Sequence, residues 1–138
     1  MKKILVAVDG SEPSMKGARM AADLAQATGS TMILAYVVVP VALPADFYGM
    51  ASVQIEDQLR KDGETFLEQA TRTFPGVNLE RKLLSGPAAE ALADAAEAMG
   101  ADLVVVGSRG RGAMARVLLG SVADRLVHIC KKPVLVVR

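Results

Sequence analysis

Five short aliphatic runs punctuate the chain, and four stretches of helical periodicity separate them. ILVAV at 4–8 is continuous and rich in β-branched residues, and Asp9-Gly10 closes it, as suits a strand buried on both faces. Met15, Ala18, Ala22 and Ala25 then recur at helical spacing until Gly29 stops the pattern. TMILAYVVV at 31–39 repeats the first signature, and Pro40 and Pro44 open a loop that runs to about Ser52, a candidate lid or interaction segment. Ile55, Leu59, Phe66, Ala70 and Phe74 mark a longer helix, ended by Pro75-Gly76.

The second half continues the alternation. VNLERKLL at 77–84 mixes charged with apolar residues, which predicts a strand with one wetter side or at a sheet edge. Gly86-Pro87 opens a helix carrying Ala88, Leu92, Ala95, Ala96 and Met99, and Gly100 ends it. ADLVVVG at 101–107 is the fourth strand, a helix with Leu118, Val122, Leu126 and Ile129 follows, and PVLVV at 133–137 is the fifth. Strand and helix alternating in this way imply, under the right-handed crossover rule, a parallel sheet covered on both faces. The expectation is one three-layer α/β/α domain over residues 1–138.

Composition narrows the function without choosing it. Sixteen basic against fifteen acidic residues leave a net charge of +1, so nothing global points to nucleic acid or an anionic membrane, and any anion site must be local. The lone Cys130 excludes an intrachain disulfide and multi-cysteine zinc sites, and is expected to pack as a small hydrophobe. His128, without a second histidine, makes neither a zinc pattern nor a triad. Met15, Met20 and Met99 sit in helical apolar patterns and read as core filler. The first apolar run stops at Asp9, too short for a signal or a membrane span, so a soluble, cytoplasmic protein is expected.

Candidate chemistry lies at the carboxyl ends of the strands, where open α/β sheets bind ligands. After the fourth strand, Gly107, Gly110 and Gly112 would let backbone approach a ligand and expose successive N–H groups to an anion. Ser121 opens the next helix, whose unpaired N–H groups and dipole favour an anion by about 0.3–2 kcal/mol. Ser121 with Asp124 three residues on also reads as a capping box, and Asp9-Gly10 as a plain turn. Arg109, Arg111 and Arg116 are phosphate contacts or solvated charges, with Arg109 the best placed for phosphate.

Gly107, Gly110, Gly120 and Ser121 together spell G-x2-G-x9-G-S. This motif resembles the nucleotide-binding signature of the universal stress protein family, in its ATP-binding branch. The likeness runs from KKILVAVDGSEPS through the glycine block to KKPVLVVR, essentially the whole chain. It implies a Rossmann-like sheet of the adenine nucleotide alpha hydrolase-like kind, in the order 3-2-1-4-5, which would bring Asp9 and Gly107 together. It further implies that Gly107, Arg109 and Gly110 lie against ribose and phosphates, and that Gly120, Ser121 and Val122 hold the phosphate tail. Asp9 would lie near adenine and ribose, and the backbone of Val37 would contact the adenine. ATP is the implied ligand, or ADP or AMP, with Mg2+ able to arrive alongside it. A homodimer through the last strand, 133–138, is implied as well. One departure is Ala7, where some members carry a proline two residues before this aspartate.

Other classes compete. Gly110 to Ala115 fits G-x-G-x-x-A, which would suit a dinucleotide enzyme, yet it follows the fourth strand and no acidic residue ends PVLVVR. No G-x-x-x-x-G-K-[ST] occurs, against a P-loop hydrolase. A nucleotide-free dimeric adaptor is opposed by the intact glycine signature. A binding and regulatory role in stress fits the pattern better than an enzyme's, with slow ATP hydrolysis left open.

Overall fold

The computed structural model describes residues 1–40, 49–109 and 119–138. Among these, β1 (Lys3–Ala7), α1 (Glu12–Thr28), β2 (Thr31–Val38), α2 (Met50–Thr71), β3 (Leu79–Ser85), α3 (Ala88–Ala98), β4 (Leu103–Gly107), α4 (Ser121–Ile129) and β5 (Val134–Val137) follow in turn. The sheet is parallel throughout, in the order β3-β2-β1-β4-β5. Chain order reverses between β1 and β4, so their carboxyl ends flank the crevice where crossovers depart in opposite directions.

The aliphatic runs form strands because both their faces are buried. Ile4 and Val6 enter one core cluster with Ala18, Ala22 and Met32, whereas Leu5 enters the other with Ile33, Val104 and Leu126. Ile4, Leu5 and Val6 are fully buried, each side chain contributing about 1.5–3 kcal/mol by leaving water. Helices α1 and α2 cover the first cluster, and α3 and α4 the second.

Local chemistry sets the helix ends. Ser11 caps α1 through its Oγ, which accepts the Ser14 amide, and Gly29 in the left-handed region, at φ 69°, closes it. Gly63 lets α2 settle on the sheet, since a Cβ there would meet Leu83 Cδ1 at 2.8 Å and Tyr36 Cδ1 at 2.9 Å. At the amino end of the sheet, the Asp102 carboxylate accepts the amides of Lys2 and Lys3 at 2.7 and 3.0 Å. Those two bonds hold its pKa below the ordinary range.

Several sequence expectations change. Helix α2 begins at Met50, so the proline-bounded loop ends earlier than Ser52, and residues 41–48 lie outside the described ones. The helix stops at Thr71, and Phe74 is buried in the turn beyond it rather than on its last face. Met20 is 44% exposed on α1, because alanines and Gly17 already fill the face that meets the sheet. Cys130 is half-buried at the end of α4, packed against the second cluster. β3 is an edge strand with Glu80, Arg81 and Lys82 exposed, as its mixed pattern predicts.

Candidate functional site

A cleft of about 690 Å3 opens at the carboxyl ends of β1, β2 and β4, within the range of small-molecule sites. Asp9, Val37, Gly107, Arg109, Gly120, Ser121 and Val122 all line it, from four separate parts of the chain. Gly110, together with Arg111, Gly112 and Arg116, lies outside the described residues.

The sheet register explains the convergence. Ala7 pairs with Ala35, so Asp9 and Val37, two residues further along, stand level at the strand ends. Val8 donates to the Ala35 carbonyl at 2.9 Å, which fixes the Ala35 backbone groups toward β1. Backbone polar groups two residues apart on a strand point the same way. The amide and carbonyl of Val37 therefore face the space β1 vacates as it turns away at Asp9. The intervening Val38 points oppositely, its carbonyl accepting the Gly86 amide at 3.2 Å.

Asp9 is shaped by the turn into α1. Its Oδ1 accepts the Ser11 amide at 2.8 Å, and its own amide donates to Ser14 Oγ at 3.2 Å. Gly10 supports this turn at φ 85°. Asp9 is thus a turn residue and a cleft residue at once.

Gly107 has a different reason to be glycine from the one its sequence suggests. A Cβ there would lie 2.7 Å from the Pro13 carbonyl carbon and oxygen and 2.8 Å from the Ser14 nitrogen. The first turn of α1 packs directly on its backbone, so close packing inside the protein already requires glycine there, before any ligand is considered.

The start of α4 also differs from the sequence pattern. Gly120, at φ −67° and ψ 161°, is the N-cap, and Ser121 is the first helical residue. The capping-box reading of Ser121 is therefore corrected. The chain is still extended at Gly120, the Asp124 amide bonds to the Gly120 carbonyl at 2.9 Å, and no side chain caps the helix. The amides of Ser121, Val122 and Ala123 have no acceptor within the helix, and these residues line the cleft. The Gly120 amide donates to the Ser108 carbonyl at 2.6 Å, and the Ser108 amide to Val137 at 2.7 Å, which ties this helix start to β4 and β5. Arg125 and Glu90, 2.9 Å apart, brace α4 against α3, and the Arg125 hydrogen bond lowers the Glu90 pKa.

Sequence reasoning missed Ser14, Tyr36, Leu59 and Asp124 in the cleft wall. Only Ser14 carried a readable signal: in DGSEPS, serines two and five residues after an aspartate match an Asx turn running into a capped helix. Among the described residues, no group of three or more His, Cys, Asp or Glu side chains could hold a metal ion. No helix among them is long and apolar enough to cross a membrane.

Comparison with known proteins agrees with this architecture. The universal stress protein family model matches residues 1–138. A universal stress protein of Methanocaldococcus jannaschii is 34% identical over 142 residues, spanning 99% of this chain and 82% of the relative. One from Thermus aquaticus is 34% identical over 138 residues, spanning 99% and 98%. A universal stress protein solved in complex with cAMP superposes with a TM-score of 0.74 at 25% identity, over 99% of this chain and 97% of that one. One from Archaeoglobus fulgidus, solved in complex with dAMP, shares the fold at a TM-score of 0.70 and 23% identity, over 100% and 98%. With this match along its whole length and the 3-2-1-4-5 sheet beneath it, the chain belongs to the universal stress protein family.

Proposed function

We propose that this single domain, residues 1–138, is a cytoplasmic ATP-binding regulatory protein of the stress response, whose nucleotide sets its conformation or choice of partner. The carrying observation is that a strand backbone edge at Val37, a carboxylate at Asp9 and the uncapped N-terminus of α4 all border one cleft. These suit the parts of an adenine nucleotide in turn. A strand edge can imitate a base-pairing partner for adenine, a carboxylate accepts hydrogen bonds from ribose hydroxyls, and helix amides receive phosphate oxygens.

The donor set fits a phosphate tail. Ser121, Val122 and Ala123 supply amides and the positive end of the α4 dipole, Ser121 adds a hydroxyl, and Arg109 lines the same cleft. Gly120 leaves no side chain between the helix start and the cleft, and Gly110 completes the signature. Mg2+ would arrive with the triphosphate, since it commonly keeps several waters and takes its other ligands from phosphate. ADP and AMP use the same base and ribose contacts and differ in how far they reach along α4. The cAMP-bound relative supports the adenine-nucleotide class.

The two sheet edges suggest how the protein assembles. β3 carries exposed charge along its edge, whereas β5 is VLVV and half-buried throughout. An apolar edge without charges pairs readily with another strand, so a homodimer through residues 133–138 completes the proposal.

Calorimetric titration of the purified protein with ATP, ADP, AMP, cAMP and NAD tests the reading. Adenine mononucleotides should bind, with ATP tightest. Preference for NAD, or no adenine-nucleotide binding below millimolar, would sink it.

A further inference from the structure

A buried hydroxyl braces the Asp9 turn. Ser14 is 4% exposed and lines the cleft. Its Oγ donates to the Ser11 carbonyl at 3.0 Å and accepts the Asp9 amide at 3.2 Å. A hydroxyl has one proton to give, and this one is spent on Ser11, so Ser14 is arranged as a brace rather than as a nucleophile. The same turn grips the Asp9 carboxylate through the Ser11 amide at 2.8 Å, while Ser11 Oγ accepts the Ser14 amide at 3.3 Å. Asp9, Ser11 and Ser14 thus form a closed ring of hydrogen bonds, and Asp9 and Ser14 line the cleft.

The ring matters because the sheet stops helping at this point. The Val8 bond to Ala35 lies at the end of the β1–β2 pairing, and Gly10, at φ 85°, adds no stiffness of its own. The start of α4 is held separately, through the Gly120 amide on Ser108. The contact with Gly107 uses the Pro13 carbonyl and the Ser14 nitrogen, and neither needs the Ser14 hydroxyl.

We propose that Ser14 is a positioning residue for the nucleoside end of the cleft, fixing Asp9 where base and ribose are recognised while leaving the phosphate end untouched. This rests on the adenine-nucleotide reading above. Removing the hydroxyl strips the Asp9 amide of this acceptor and loosens the turn that carries the carboxylate. The loss should fall on ligands with a nucleoside and spare those that are phosphate alone.

The test compares wild type, Ser14→Ala and Ser14→Thr by calorimetry with ATP and with inorganic tripolyphosphate, and by NMR amide exchange without ligand. Ser14→Ala should weaken ATP by about tenfold, the size expected for one lost buried hydrogen bond. It should leave tripolyphosphate unchanged and speed exchange at the Asp9 amide while Leu5 and Val105 stay protected. Ser14→Thr, which keeps the hydroxyl, should restore ATP affinity. Equal weakening of both ligands, or unaltered exchange at Asp9, overturns the proposal. If wild type binds neither ligand the nucleotide reading fails, and the exchange result alone decides whether Ser14 holds the turn.

Discussion

Gly107 and Pro13 lie so close that a methyl group on Gly107 would sit 2.7 Å from the Pro13 carbonyl. The contact joins the end of β4 to the first turn of α1, so the two strand ends flanking the cleft are tied through a helix as well as by their own pairing. Gly107→Ala should force α1 off the sheet, at about 1–3 kcal/mol, the usual range for overpacking a tight site. Urea unfolding measures it, and unchanged stability would mean that the turn yields freely.

Gly120 is buried, yet its backbone makes no demand for glycine. Its backbone is extended, at φ −67° and ψ 161°, which any residue adopts, so Gly120→Val should fold normally. The valine side chain would stand where the phosphates approach the α4 amides. ATP binding should be lost while circular dichroism and the melting temperature hold. Retained affinity would place the phosphates elsewhere.

The Asp102 carboxylate, accepting the Lys2 and Lys3 amides, has its pKa lowered on folding. A lowered carboxylate pKa contributes stability fully above the unfolded value, about 3.9, and loses it as pH falls through the folded value. Asp102→Asn should therefore be less stable than wild type at neutral pH, with the difference shrinking in acid below about pH 4. A difference that stays constant into strong acid would show that the charge is irrelevant there.

Backbone direction in β5 gives a clean test of assembly. The carbonyls of Pro133 and Val137 accept from Val104 and Ser108 of the β4 side, so the alternate residues Val134 and Val136 turn their backbone outward. Val136→Pro removes an outward amide and spares the pairing with β4. It should yield a monomer by sedimentation that still binds ATP. A dimer that persists would move the interface to another face.

Much of the fold was legible because its strands are buried on both faces and therefore written as unbroken aliphatic runs, as in ILVAV and LVVV. The charges of β3 likewise announced an edge. The strand order came from the resemblance alone, since every run reads the same from within. Boundaries failed where tertiary packing decides them: Phe74 keeps helical spacing after the helix has ended, and Met20 fits an apolar pattern yet faces water. In the site, the glycine spacing pointed to the cleft wall, but not to the reason Gly107 is glycine, because Pro13 is distant in sequence. The N-cap was misplaced by one residue because Ser121 is the better capping side chain, while the extended backbone at Gly120 is set by its bond to Ser108.

The most direct measurement is a backbone amide NMR titration with ATP, followed residue by residue. Binding across the cleft should shift Val37, Ser121 and Val122 together, with one affinity, and leave the far end of the sheet around Lys3 and Asp102 unmoved. Shifts confined to one of these segments, or centred away from the ends of β1 and β4, would contradict a nucleotide spanning the cleft.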